Sequence, residues 1–206
     1  MALEKACLAV VWGLGELMES SDRYTFGHCQ RVATFAEEIA GMLGMAEPQL
    51  TTVRVGAYLH DLGKVRVPRD ILNKPGRLSP AELETIRKHP MWGVELLAAV
   101  ELPWDIAPII RWHHERYDGT GYPDGLRGME IPINAQIIGI ADAYDALTTT
   151  RSYRAAVPQP QALEEMRLNR GQWHPDVYTA FVKSVKPQGR AHASHRFNGM
   201  PGQGAA

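Results

Sequence analysis

AYLHDLGKV, residues 57–65, ends an apolar helical run on an adjacent imidazole and carboxylate, His60 and Asp61. Gly63 offers the chain an exit from that helix, and Lys64 stands about one turn beyond His60. The stretch reads as a metal-binding edge with a cation beside it. Neither adjacency nor one-turn spacing is rare, so the pair alone leaves the reading open. The rest of the chain narrows it: His28, His89, the pair His113-His114 and Asp142 fall on four further predicted helices. With His60, five of the eight histidines are candidate ligands.

Working outward, the pattern is helical almost throughout. The helix that ends at Asp61 is predicted to begin near Glu47, with Pro48 in its first turn and Leu50, Val53, Ala57 and Tyr58 facing a core. Before it, residues 24–43 carry Val32, Phe35, Ala36, Ile39 and Leu43 as an apolar stripe. His28 lies one turn before Val32 on that inward face, where it reads either as a satisfied core imidazole or as a ligand. A weaker helix is predicted over residues 3–19, interrupted by Gly13 and Gly15. Beyond the central motif, residues 65–77 read as extended or looped. Ser79-Pro80-Ala81-Glu82 is a capping box that opens a helix to about His89, broken or restarted by Pro90 and followed by a short helix over 92–99.

An amphipathic helix over 104–115 ends in His113-His114-Glu115. The next stretch, ERYDGTGYPDGLRGMEIP (115–132), holds four glycines and two prolines and fits no regular element. Directly after a double histidine it reads as a substrate-facing lid rather than a simple connector. Residues 133–149 return to helix, and Asp142 and Asp145, three apart, can face one side of it. Two last helices are predicted over 158–169 and 175–185. The fold class that follows is all-α, a helical bundle with one long ordered Gly-rich loop.

At 206 residues the chain fits one domain with a sizeable core, and 45% hydrophobic content is ordinary for a globular protein. A net charge of -1 leaves no basic field for a nucleic acid polymer, although a small anion can still be held by local charge and metal. Cys7 and Cys29 have no second cysteine at ligand spacing and read as buried free thiols. The first apolar patch carries Glu4, Lys5 and Glu16, so neither a membrane span nor a secretory leader is expected, and the location expected is cytoplasmic.

Imidazoles and carboxylates from several helices, with no thiolate, favour a hydrolytic metal site over a structural zinc site. The candidates exceed the needs of one tetrahedral ion. Two divalent ions are expected, iron or manganese before zinc, with Asp61 placed to bridge them and an activated water as nucleophile. Lys64, Arg151 and Arg154 supply cations for phosphate oxygens, or else are solvated surface charges. No phosphate-cradling glycine loop, nucleophile elbow or Cys-His pair is present to suggest another chemistry.

Four stretches carry a resemblance: DRYTFGHCQRVATFAEEIAGMLG (22–44), HDLGKVRVPRDILNKPGRLSPAELETIRKHPMWGVELL (60–97), HHERYDGTGYPDGLRGMEIP (113–132) and ADAYDALTTTRSYR (141–154). Together they resemble the HD-GYP family of HD-domain metal phosphohydrolases over about residues 8–186. The resemblance implies an all-helical HD domain with extension helices, taken as 24–186; the N-terminal helix falls within 1–23, and the tail 187–206, without periodicity and rich in Gly, Ala and Pro, is expected to be disordered. The resemblance also implies hydrolysis of cyclic di-GMP to pGpG, with the extent of a second cut to GMP left open. The implied ligands are His28, His60 and Asp142 for one ion and His89, His113 and His114 for the other, with Asp61 between them. Some members add a glutamate one turn before the first histidine, but Tyr24 stands here, so two ions rather than three are implied. Lys64 corresponds to a lysine on the scissile phosphate, and Asp145 to an acid near the attacking water. Arg151 and Arg154 correspond to positions that hold phosphate or guanine, and Gly121-Tyr122-Pro123 is the signature tripeptide. In the family that loop is linked to activity and to docking on GGDEF or response-regulator proteins. A fused sensory domain is not expected ahead of the first motif. Two alternatives stand beside this reading: a phosphohydrolase for another cyclic dinucleotide or nucleotide, and a catalytically silent docking protein.

Overall fold

Val32, Ala36, Ile39 and Ala40 recur at three- and four-residue spacing and are all buried, which fixes the inward face of α2 (His28–Met42). The computed structural model describes residues 2–21, 27–150 and 155–185, and within them the architecture is an all-α bundle with no strand. α1 (Ala2–Ser21) precedes α2, and α3 (Gln49–Leu59) follows it. A 3-10 turn, Leu62–Arg66, leads to the single-turn α4 (Arg69–Leu72), then α5 (Pro80–Ile86), α6 (His89–Leu97) and α7 (Ala107–Trp112). A long irregular segment with one 3-10 turn at Gly128–Glu130 precedes α8 (Ile133–Thr148), α9 (Gln159–Leu168) and α10 (Pro175–Val185).

The core lies where α2, α3 and α8 pack on one another and α10 covers α2 and α8. Ile137, Ile138 and Ile140 of α8 share it with Val32, Val53 and Phe181. The Tyr144 ring meets Phe35 and Phe181 edge-on at 5.1 and 5.2 Å, the arrangement that ring quadrupoles favour. α1 packs on α3, with Val11 buried and the Trp12 ring 6.5 Å from Tyr58. α6 packs against the 3-10 turn and α7. No described helix is long and apolar enough to cross a membrane.

Several boundaries differ from the sequence pattern. The third helix ends at Leu59, not Asp61: His60 keeps helical angles, and Asp61 turns the chain at φ -94°, ψ 8°. Residues 65–77, expected to lack helix, contain α4, with Pro68 at its N-cap, where a missing N–H costs nothing. The helix expected over 104–115 is confined to Ala107–Trp112, although Trp104 and Ile106 are buried ahead of it. The capping box forms as read: Glu82 N–H donates to Ser79 Oγ, and Ser79 N–H to Glu82 Oε2. Tyr24, Arg151, Arg154 and the tail over 187–206 lie outside the described residues.

Gly63, expected as a helix exit, answers to packing instead. A Cβ there would lie 1.9 Å from the His89 carbonyl oxygen and 2.6 Å from Gly93 N. The turn after Asp61 therefore meets α6 backbone to backbone, which carries His89 up to Asp61. Gly63→Ala is expected to cost more than about 2 kcal/mol, because the obstacle is backbone and cannot rotate away. Gly13→Ala, in open space on α1, is expected to gain about 0.5–1 kcal/mol. Urea midpoints of the two variants check both signs, and a neutral Gly63→Ala would contradict the packing role.

Candidate metal centre

Three buried imidazoles are fixed in the same way. The Nδ1 atoms of His60, His89 and His113 lie 2.7, 2.8 and 2.9 Å from the carbonyl oxygens of Ala57, Ile86 and Ile110, each three residues back. A carbonyl only accepts, so each Nδ1 carries a proton and each ring presents its Nε2 inward. His28 is fixed by a carboxylate: its Nδ1 donates to Asp145 Oδ2 at 2.7 Å. Arg31 donates to the same group, from Nε to Oδ1 at 2.5 Å and from Nη2 to Oδ2 at 3.2 Å.

Those Nε2 atoms converge on Asp61. Its Oδ1 is 3.2 Å from His89 Nε2, while its Oδ2 is 3.4 Å from His60 Nε2 and 3.9 Å from His28 Nε2. Two donor groups result, each with its ligand atoms within 4.8 Å of one another: Asp61, His89, His113 and His114, and His28, His60 and Asp142. Lys64 Nζ donates to Asp61 Oδ2 at 2.5 Å. Asp145 stands on the opposite edge of the His28 ring from Nε2, so its contacts are those of a group that orients His28. Arg31 was missed in the sequence. Its i+3 spacing from His28 was visible, but its pairing with Asp145 depends on how α2 meets α8.

The donor set fits divalent cations. His89 Nε2 and His113 Nε2 are 3.3 Å apart. At that spacing both nitrogens can reach one shared cation. His60 Nε2 and Asp61 Oδ1 are buried without a hydrogen-bond partner, a costly state for polar atoms unless something else satisfies them. Imidazole nitrogen and carboxylate oxygen suit manganese, iron or zinc. Among the described cysteines, Cys7 and Cys29 are free thiols; Cys29 is buried and Cys7 half-buried. Burial, with Glu19 beside it, pushes the Cys29 thiol up and keeps it protonated.

Charge follows the same plan. Burial, then the His60 and His89 imidazoles, pushes His113 down to about 3. Burial and the two neighbouring imidazoles, His113 and His89, push His114 well down. Burial works against ionisation of Asp61, but Lys64 and His60 outweigh it and hold the carboxyl well below its usual range. Burial alone would lower His60, yet Asp61 outweighs it and the net shift is upward. Asp145 is held at about 2, burial being overcome by His28 and Arg31.

The segment after His114 is fastened to the centre. Tyr122 stacks on the His114 ring at 4.7 Å and 24°, and its N–H donates to the His114 carbonyl at 3.2 Å. A Cβ at Gly121 would come within 2.4 Å of Glu115 Cα and Arg116 N, so only glycine permits this approach. Pro123 follows through a cis peptide bond. The buried Glu115 carboxylate accepts from Asp124 N at 2.7 Å and Gly125 N at 3.0 Å, a support that sequence reading did not single out. Asp124 accepts from Arg111 Nε and Trp112 Nε1, each at 2.7 Å. Arg87 lies 5.4 Å over the outer face of Tyr122. His174 serves a helix start: its Nδ1 accepts from Asp176 N at 3.1 Å.

Helices that converge histidines and an adjacent His-Asp pair on one buried centre define a class, and comparison with known proteins supplies the family. A family model described as HD domain matches residues 14–177, and the chain belongs to that family. It is 39% identical over 176 residues to a cyclic di-GMP phosphodiesterase of Thermotoga maritima, covering 84% of this chain and 48% of the relative. It is 38% identical over 171 residues to a 3'3'-cGAMP-specific phosphodiesterase of Vibrio cholerae, covering 82% and 33%. The solved structure of Bd1817, an HDG"Y"P protein of Bdellovibrio bacteriovorus, superposes with a TM-score of 0.63 at 26% identity, covering 77% of this chain and 51% of that one. The chain is thus related to HD-GYP proteins and spans about a third to a half of the curated relatives' lengths.

In the metal-free folded protein His113 stays neutral down to about 3, whereas the unfolded chain takes up that proton near 6.5. Between those values the unfolded state binds more protons, so stability rises with pH, by up to about 1.4 kcal/mol per unit for this group. Urea midpoints of the metal-free parent should therefore fall more steeply than those of His113→Gln as pH drops from about 6.5 to about 4. Parallel profiles would contradict the neutral assignment.

Proposed function

We propose that this chain is a metal-dependent phosphodiesterase of cyclic dinucleotides, with cyclic di-GMP as its substrate. The observation that carries the reading is the Asp61 carboxylate, which turns one oxygen to His89 and the other to His60 and His28. His28, His60 and Asp142 would hold one cation and His89, His113 and His114 the other, with Asp61 offered to both; iron or manganese suits the donors. When bound, such a pair supplies a water activated near neutral pH and neutralises phosphodiester charge. The relatives' names point to cyclic dinucleotides as the substrate class, cyclic di-GMP in one and 3'3'-cGAMP in the other.

The chain's own residues have separable tasks. Lys64 keeps Nζ on Asp61 with its side chain 24% exposed, so it can donate to a phosphate oxygen entering from solvent while it holds the carboxylate ionised. Asp145, backed by Arg31, orients the His28 ring, and the role near the attacking water that the resemblance implies is assigned to the same carboxylate. Gly121, Tyr122 and Pro123 hold His114 and wall the site, while Arg151 and Arg154 are assigned to the remaining phosphate or guanine groups. Opening one ester gives pGpG, and a second cut gives GMP.

We further assign residues 24–186 to the HD-GYP unit, with α9 and α10 as its extension helices and 115–132 as its Gly-rich loop. Residues 1–23 hold the N-terminal helix, and 187–206 are a tail. Docking on GGDEF-domain or response-regulator proteins is assigned to the same loop, where Met129 is 77% exposed. Unpaired thiols suit a cytoplasmic setting.

Protein purified without oxygen and loaded with manganese or iron is expected to bind about two ions per chain and to cut cyclic di-GMP faster than 3'3'-cGAMP or a generic phosphodiester. Two ions with no turnover of any cyclic dinucleotide would overturn the assignment. Lys64→Ala should keep its metal and lose on the order of 100-fold in turnover. Asp61→Ala should lose most metal and nearly all activity, as metal analysis beside the assay would show.

A further inference from the structure

We propose that Glu19 of α1 is a positioning residue for the metal centre, bracketing the backbone of His28 from an element outside the donor set; this rests on the metal-centre reading above. α2 begins at His28 itself, and no side chain at its N-cap, Gly27, accepts its first-turn amides. Glu19 does so from α1. Its Oε2 accepts from Gly27 N at 2.6 Å and its Oε1 from Cys29 N at 2.6 Å. The two amides belong to the residues on either side of His28, so one carboxylate holds the backbone just before and just after that residue. A charged acceptor at a helix N-terminus is favoured twice, by charge-assisted hydrogen bonds and by the helix dipole.

The ring and the backbone of His28 are thus held by different partners. Asp145 and Arg31 set the ring's rotation, while Glu19 sets the origin from which it projects. Both are needed to place Nε2 3.5 Å from Asp142 Oδ1. α1 also reaches the second histidine of this donor group. A Cβ on Gly15 would lie 2.9 Å from Tyr58 Cδ1, so α1 sits closely on α3 two residues before His60. One helix therefore supports both imidazoles of the His28, His60 and Asp142 group. α1 also touches the 3-10 turn Leu62–Arg66, whereas the histidines of the other group sit on α6 and at the end of α7.

The expected consequence is selective. Cobalt(II) titration of the metal-free chain, followed by visible absorption, should show two steps in the parent. In Glu19→Ala one step should weaken about tenfold and the other stay within about twofold, as for loss of a group that orients a ligand. Glu19→Gln, which keeps one accepting oxygen, should fall between, a partial rescue that a merely space-filling role would not give. Both steps unchanged in Glu19→Ala, or both weakened equally, would overturn the proposal. If the parent takes up no cobalt, the metal-centre reading fails by itself. The hold of Glu19 on His28 is then decided in the metal-free protein by amide exchange: on the order of tenfold faster exchange at Gly27 and Cys29 in Glu19→Ala, with α10 unchanged, supports it, and equal rates overturn it.

Discussion

Buried imidazoles turned toward one another and toward a single carboxylate are the constraint around which this chain is built. His89 Nε2 faces His113 Nε2 at 3.3 Å, and the carbonyls of Ile86 and Ile110 keep both protons on the far nitrogens. Burial and the neighbouring rings hold His113 at about 3, so its ring gains no relief by taking up a proton near neutral pH. The arrangement is thus unfavourable in isolation. It persists because the surrounding helices fix the rings through backbone bonds that do not depend on the centre's contents. A divalent cation is what satisfies such donors, and the core formed by α2, α3 and α8 offsets the local cost.

The two donor groups are supported unequally. His28, His60 and Asp142 sit on α2, α8 and the end of α3, elements of 11 to 16 residues that share the main core. His89, His113 and His114 sit on helices of nine and six residues or just past them. Helices that short are marginal without tertiary ties. The ties here are close: the Gly63 backbone against the His89 carbonyl, Glu115 on the amides of Asp124 and Gly125, and Tyr122 on the His114 ring. The segment read as a lid is fastened beside His114. Tyr117 N also donates to Gln172 O at 2.9 Å and Gly128 N to Tyr117 O at 2.9 Å, so its two limbs are tied to each other and to the base of α10.

What the sequence disclosed depended on whether the chemistry was local. Histidines and aspartates on an apolar background announce themselves by residue type, so the candidate ligands were legible before any contact was known. The capping box at Ser79 was equally legible, because its two hydrogen bonds join residues three apart. Gly63 was seen but misread: a glycine after a helix looks like an exit, and only the approach of α6 explains it. Asp145 was seen on the correct face of α8, yet its contacts lie on α2, 114 and 117 residues away in Arg31 and His28. Glu19 carried no signal, since an acid near the end of an amphipathic helix is ordinary until the amides it meets are known.

Asp61 gains its importance from being a joint between these two bodies. It stands where the regular helix α3 has ended and the 3-10 turn has begun, so its backbone belongs to neither group's helices. That position lets one carboxylate present different oxygens to His89 and to His60, whereas a residue inside a helix would be confined to one face. Burial would otherwise raise its pKa, and Lys64, three residues on in the same turn, keeps it ionised. The His-Asp adjacency therefore works through a change of backbone geometry between the two residues. His60 completes the packed helix, and Asp61, one residue later, is free to face both donor groups.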